Sequence, residues 1–305
     1  MLEPEIAAFV ERSQSFYPPG AEALSIAESR RRYDALCAAF TPPRPPGVTT
    51  TEYALDLPDR AVPLRLYQAG APRGTVIYLH GGGFILGSLD SHDLVTARLA
   101  ADTGAAVLAV DYRLAPEHPA PAAFEDCLAV ARAALDGDLP GPVVLAGDSA
   151  GGCLSASVAL ALRDAPAARK IQGLALIYPC LGFEPALPAA VEEAGAPMLT
   201  LAEMRACREA YLAGRPPGPY DFALDHADLR GLPPTLALAA EHDPLRDDAR
   251  LFVERLRAVR GVGEYWLGPG LVHGCLRAMR TSPTAAALYD RMVEFVKARL
   301  SAQEN

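Results

Sequence analysis

The sequence predicts an α/β fold: an open, mostly parallel eight-stranded sheet flanked by helices. Three observations predict it. Six short runs rich in Val, Leu, Ile and Ala, at 75–80, 105–112, 142–147, 173–179, 235–243 and 263–268, lack polar alternation. That is the pattern of parallel strands buried on both faces. Between them lie segments of helical periodicity, at 92–103, 121–136, 150–164, 244–260 and 284–300, and such alternation builds a helix-covered parallel sheet. Ahead of them, "TEYALDLP" and "VPLRLYQAG" are two strands joined by Pro58-Asp59-Arg60 as a hairpin.

The elements follow in order. The first ~40 residues are helical, in "PEIAAFVERSQ" and "EALSIAESRRRYDALCAAF", the second with only a modest apolar face. "TPPRPPG", 41–47, breaks the helix and makes an extended linker. In 244–260, Leu245, Ala249, Phe252, Leu256 and Val259 recur every three or four residues, a stripe for the sheet. The alternation lapses at about 181–217, where a helix around 200–213 but no strand is expected. That segment is an insertion above the sheet and, with about 1–45, a candidate lid. The C-terminal "TAAALYDRMVEFVKARL" carries a Leu/Met/Val/Phe stripe with two uses, a homodimer contact or packing on the sheet.

Composition narrows the function. The 305 residues exceed the usual ~150 per domain, but an α/β fold of this length is commonly one domain, expected here over 1–305. Half the residues are hydrophobic, enough for a large core, and the net charge is −9 with no Lys/Arg run. Nucleic acid is therefore excluded as a partner. "MLEPEIAAFVERSQ" has no apolar signal core, and no run of ~18 apolar residues suggests a membrane span. Six scattered cysteines form no CxxC pair and read as buried thiols rather than disulfides or zinc ligands, in keeping with the cytoplasm. No metal or cofactor is called for.

Ligands of open α/β sheets bind at the carboxyl ends of strands, so reactive residues there matter most. Ser149, in Gly147-Asp148-Ser149-Ala150-Gly151, follows one strand directly and precedes a helix. Small flanks suit a sharp strand-to-helix corner with an activated nucleophile. A plain glycine turn or a phosphate loop competes, although neither GxGxxG nor a Lys-Ser/Thr ending is present. His80-Gly81-Gly82-Gly83-Phe84 ends another strand. Bare N–H groups there suit close approach to a ligand. Gly82 and Gly83 are candidate oxyanion donors, with the N–H of Ala150 at the helix N-terminus as the third. His80 itself reads as structural.

A base and an acid complete the set. His273 lies in "GPGLVHGC", a glycine-rich loop after the last strand. His242 and Asp243 alternate at a strand end, so only one of them faces the serine. Asp243, ahead of Pro244, is either the acid or the N-cap of the next helix. Asp247 and Asp248 lie farther into the helix, and Glu241 farther from the strand end. The order Ser149, Asp243, His273 is that of a nucleophile-elbow triad.

Together "HGGGFILGS", "VDYRLAPEHPAPAAFED", "GDSAGG", "GLPPTLALAAEHDPLRDDA" and "VHG" resemble the hormone-sensitive-lipase-like esterases of the α/β-hydrolase fold, which include bacterial acetyl esterases, over about 74–280. The resemblance implies Ser149 as nucleophile, Asp243 as acid, His273 as base, a glycine-loop oxyanion hole and a mobile cap. It implies a structural role for "DYRLAPEHP", and a serine carboxylesterase acting through an acyl-enzyme. Phe84 and Cys275, beside the glycine loop and the base, are candidate substrate contacts. Cys275 departs from the family, which usually has Phe there, and a wider pocket is expected. The expected ligand is a small or medium uncharged ester. Amides and lactones compete within the hydrolases, and a small-ligand receptor competes from outside them.

Overall fold

Strands β1 (Thr49–Asp56), β2 (Ala61–Gln68), β3 (Thr75–Leu79), β4 (Ala106–Val110), β5 (Val143–Asp148), β6 (Ile171–Ile177), β7 (Thr235–His242) and β8 (Gly263–Val272) form one sheet. Their spatial order is β1-β2-β4-β3-β5-β6-β7-β8. The structure is a computed structural model and describes residues 1–18, 20, 24–137 and 139–301. The two pairs that involve β2 are antiparallel; all others are parallel. Every residue of β3, β4 and β5 is buried, as their unbroken apolar runs require.

Helices α1 (Pro4–Gln14), α2 (Ile26–Phe40), α3 (Asp93–Thr103), α4 (Ala122–Asp136), α5 (Ala150–Leu162), α6 (Ala189–Glu192), α7 (Leu201–Leu212), α8 (Arg246–Ala258) and α9 (Pro283–Leu300) complete the fold. Alternate strand residues feed two cores. Ile77, Leu79 and Leu145 pack with α4, α5 and α8, while Val76, Tyr78 and Val144 pack with α1, α3 and α9. The sheet is thus covered on both faces. The stripe of α9, including Leu288, Met292 and Val296, belongs to the second core, so packing on the sheet is its use.

Topology sets the site. β3 lies between β4 and β5, and the chain leaves β3 toward one face (α3) and β5 toward the other (α5). A crevice opens at the carboxyl ends of such a strand pair. The glycine loop and Ser149 flank it.

Some boundaries differ from the sequence expectation. β8 runs on to Val272, through an irregularity opposite Ala240 and His242. His273 therefore follows the strand directly instead of lying in a longer loop. Pro244 precedes α8, which starts at Arg246 with Leu245 as N-cap. Leu245, Ala249, Phe252 and Leu256 are buried as the stripe requires, but Val259 lies past the helix end and is 36% exposed. Truncating Phe252 to Ala would cost about 3–5 kcal/mol.

Within 181–217 the chain forms α6 and α7 and no strand. Thr200 and Glu203 make a reciprocal capping box that starts α7. From the N-terminal segment, Arg30 of α2 donates to the carbonyls of Ile85 (2.9 Å) and Ala115 (3.0 Å) and pairs in a fork with Glu117. The N-terminal segment thus contacts the loop that leaves β3, and so does α7, whose Tyr211 stacks on Phe84.

Candidate active site

Ser149 stands between β5 and α5 with φ 53° and ψ −120°. Positive φ in a residue with a side chain stores roughly 1–3 kcal/mol of strain. The surroundings enforce it. The Ser149 N–H donates to Ile177 O (2.9 Å), and its carbonyl accepts from Cys180 N (3.2 Å). The small flanks are obligatory: a Cβ on Gly151 would lie 1.9 Å from Leu79 O, and one on Gly147 would lie 2.4 Å from Gly151 O.

His273 Nε2 is 2.9 Å from Ser149 Oγ, and its Nδ1 is 2.7 Å from Asp243 Oδ2. Asp243 is fully buried. Its other oxygen, Oδ1, accepts the Leu245 N–H at 2.9 Å. The capping and catalytic readings of Asp243 thus share one carboxylate, although it folds the turn before α8 and is not the N-cap. Its neighbour His242 turns the other way, toward Glu193 at 3.3 Å. Glu241 accepts the Gly270 N–H at 2.7 Å, which shapes the loop that leads to His273.

The glycine loop folds on itself. Ile85 and Leu86 donate to Gly82 O at 3.1 and 2.8 Å. Gly82 has φ +125°, and a Cβ there would lie 2.2 Å from Leu86 O. Among the described residues, the N–H groups of Gly82, Gly83 and Ala150 find no protein acceptor. That leaves donors free at the crevice, where an oxyanion hole needs them. His80 is buried, with Nδ1 2.9 Å from Gly81 O. Its ring stacks between Tyr112 and His92. Burial, with His92 alongside, pushes its pKa down to about 3, so the ring stays neutral.

Two candidate contacts turn inward. Phe84 is 2% exposed and stacks on Tyr211 of α7, with ring centroids 4.0 Å apart. Its φ of 65° swings the side chain into the core. Cys275 is fully buried among residues packed with α9, and burial pushes its thiol pKa up. Neither side chain is therefore exposed at the crevice in this structure.

The "DYRLAPEHP" segment is tied down. Arg113 forks onto Asp126 (2.9 Å from Nε and from Nη2), which also holds Arg60 (2.7 Å).

Sequence reasoning missed several residues. Tyr178, at φ 34°, lies 4.8 Å from the His273 ring. Cys207 of α7 presses on the glycine loop: a Cβ on Gly83 would be 2.7 Å from its Sγ. Asp248 accepts the N–H groups of Leu181, Gly182 and Ala186 (2.9, 3.0 and 2.7 Å), and Asp247 accepts that of Ala189 (2.9 Å). The position of Asp247 and Asp248 in the first turn of α8 was the available signal, since carboxylates there serve nearby N–H groups.

Comparison with known proteins bears on the fold and the class of reaction. Residues 76–277 match the family described as the alpha/beta hydrolase fold. The carboxylesterase NlhH of Mycobacterium tuberculosis is 39% identical over 259 residues, covering 79% of each chain. The carboxylic ester hydrolase LipN of the same organism is 33% identical, over 98% of this chain and 84% of its own. Among solved structures, an esterase from the bacterial hormone-sensitive lipase family superposes with TM-score 0.89 at 26% identity, covering 99% of this chain and all of that one. A hyperthermophilic esterase from Pyrobaculum calidifontis gives TM-score 0.88 at 29% identity, covering 97% of this chain and 98% of its own. The chain belongs to the hormone-sensitive-lipase-like carboxylesterases of the α/β-hydrolase fold.

Proposed function

We propose that this ester hydrolase cleaves small to medium uncharged acyl esters through Ser149, His273 and Asp243, by way of an acyl-enzyme. The observation that carries the reading is the unbroken chain from Ser149 Oγ to His273 Nε2 (2.9 Å) and from Nδ1 to Asp243 (2.7 Å). His273 takes the Ser149 proton as Oγ attacks the ester carbonyl carbon. Asp243 holds the imidazole with Nδ1 protonated and stabilises the imidazolium. The N–H groups of Gly82, Gly83 and Ala150 receive the oxyanion, each such donor contributing roughly 2.7–4 kcal/mol. His273 then protonates the departing alcohol. Water attacks the acyl carbon by the same route, losing its proton to His273, and the carboxylic acid leaves.

In this reading 1–305 is one domain, and a cap formed from about 1–45 and 181–217 covers the crevice. The contacts of Arg30 and Cys207 with the glycine loop support that role. Six free cysteines, five of them buried, fit a reducing compartment such as the cytoplasm. No helix among the described residues is long and apolar enough to cross a membrane. With α9 occupied by the sheet, self-association would use a sheet edge, β1 or β8.

The test is hydrolysis of a p-nitrophenyl ester series by wild type and Ser149→Ala, alongside fluorophosphonate labelling. Loss of both activity and labelling in the variant is expected. A variant that hydrolyses at near wild-type rates overturns the assignment. A wild type that never labels and never turns over favours a receptor.

A further inference from the structure

Behind the nucleophile lies a set of buried polar groups that the acyl-transfer steps do not use. Asp148, the last residue of β5, is 3% exposed. Its Oδ1 accepts the Tyr78 hydroxyl (2.8 Å) and the Gly81 N–H (3.1 Å). Its Oδ2 meets His92 Nε2 at 3.3 Å. The other ring nitrogen of His92 reaches Ser91 Oγ at 2.8 Å. The glycine loop rests directly on this carboxylate, because a Cβ on Gly81 would lie 2.5 Å from Asp148 Oδ2.

On the far side of Ser91 is Arg277, four residues beyond the base and 9% exposed. Its guanidinium donates to Tyr33 Oη (2.8 Å), Cys37 Sγ (3.0 and 3.3 Å) and Ser91 O (3.4 Å). Among the described residues it has no direct carboxylate partner. An uncompensated buried cation is strongly unfavourable. Asp148 is the one carboxylate among the groups that act on it most. Conversely, burial pushes the Asp148 carboxyl up, while His92, Arg277 and Tyr78 pull it well below the usual carboxylate range. Each charge therefore acts on the other, with His92 nearest Asp148 and with Cys37 and Tyr33 nearest Arg277.

We propose that Asp148 and Arg277 form a separated buried ion pair, bridged by His92 and Ser91, that sets the orientation of the glycine loop for oxyanion binding. Asp148 is the positioning residue and Arg277 its countercharge. The bridge joins four parts of the chain: the nucleophile corner, the loop that leaves β3, the turn after His273, and α2 through Tyr33 and Cys37. Helix α2 thereby belongs to the frame of the catalytic groups as well as to their cover. The inference rests on the reading of Gly82 and Gly83 as oxyanion donors.

The experiment compares wild type with Asp148→Asn, Arg277→Met, the double variant, and Ser149→Ala as control. It measures kcat and KM on a p-nitrophenyl ester and inhibition by a trifluoromethyl ketone that mimics the tetrahedral adduct. A loop shifted by a fraction of an ångström should lower kcat by about 10- to 100-fold, with KM changed less than about threefold. Affinity for the ketone should fall in step with kcat. Because the charges compensate each other, the double variant should lose about as much as the worse single one, not the product of the two.

Unchanged kcat in Asp148→Asn, a loss carried by KM, or a multiplicative double variant overturns the proposal. Should the Asn or Met variants not fold, Ser91→Ala removes one hydroxyl of the bridge and should still lower kcat and ketone affinity together by about three- to tenfold; no parallel loss overturns it. An inactive Ser149→Ala beside an unaffected Asp148→Asn sinks the bridge alone. An active Ser149→Ala sinks the underlying reading.

Discussion

Replacing Asp243 with Asn tests the site at a single atom. Asp243 is fully buried, and each oxygen has one partner: Oδ1 the Leu245 N–H at 2.9 Å, Oδ2 His273 Nδ1 at 2.7 Å. Asn has the same shape but one acceptor fewer. If its carbonyl keeps the Leu245 bond, its NH2 faces Nδ1 and drives the ring proton to Nε2. That nitrogen, 2.9 Å from Ser149 Oγ, can then no longer take the serine proton. If the amide flips, the NH2 opposes the Leu245 N–H, and one buried donor is left unpaired at roughly 1–3 kcal/mol. That penalty alone keeps the productive form to between about a sixth and a hundred-and-fortieth of the population. Losing the negative charge beside the imidazolium removes more. The same exchange in another Ser-His-Asp enzyme lowers kcat about 10⁴-fold, or roughly 5.4 kcal/mol. We therefore expect a kcat loss of about 10³- to 10⁴-fold with a nearly unchanged melting temperature. Steady-state hydrolysis of a p-nitrophenyl ester, with thermal melts, measures both. A folded variant that loses less than tenfold would refute the assignment of Asp243.

Three further outcomes follow from the structure. Of six free cysteines, only Cys207 is partly exposed, and its Sγ lies against Gly83; partial desolvation of the thiol raises its pKa to about 11, so labelling should be slow. Methylthiolation should add one label and lower kcat/KM, and Cys207→Ala should remove the sensitivity; labelling without any rate change contradicts the contact. Gly151→Ala puts a methyl 1.9 Å from Leu79 O and should cost at least about 3 kcal/mol or prevent folding, read by soluble yield and denaturant titration. A tolerated alanine would mean the corner is looser than described. His80 has its pKa pushed down to about 3 by burial, so between about 6.5 and 3 the unfolded chain binds the extra proton. Its contribution to stability is therefore lost as pH falls through that window, by up to about 1.4 kcal/mol per pH unit. His80→Gln should flatten the acid side of the melting curve by that slope; an unchanged slope would show that His80 does not stay neutral.

The sheet was legible because β3, β4 and β5 are buried throughout and β6 and β7 through their middles, with polar residues only near the strand ends. β8 was cut short in the sequence reading because Pro269 and Gly270 interrupt an apolar run that pairing with β7 nevertheless carries to Val272. The order of Ser149, Asp243 and His273 needed only strand ends to be recognised. Which way Phe84 and Cys275 point depends on a positive φ and on packing under α9, and neither leaves a trace in residue type. His92 and Arg277 were equally hidden. His92 stands in a polar turn between Ser91 and Asp93 and Arg277 between Leu276 and Ala278, and the partners Asp148 and Cys37 lie 56 and 240 positions away in the chain.

The two carboxylates that open α8 have a consequence for anyone exchanging cover segments among related enzymes. Asp248 and Asp247 grip the backbone of 181–189 from a helix that begins just after Asp243. Grafting a foreign 181–217 without its matching first turn would leave up to four backbone donors without acceptors, while two carboxylates are left buried. Chimeras should therefore be cut so that both segments travel together. A transplant that respects only the obvious ends of the insertion would change the footing of Asp243 along with the pocket, and its altered activity would report on the wrong part of the molecule.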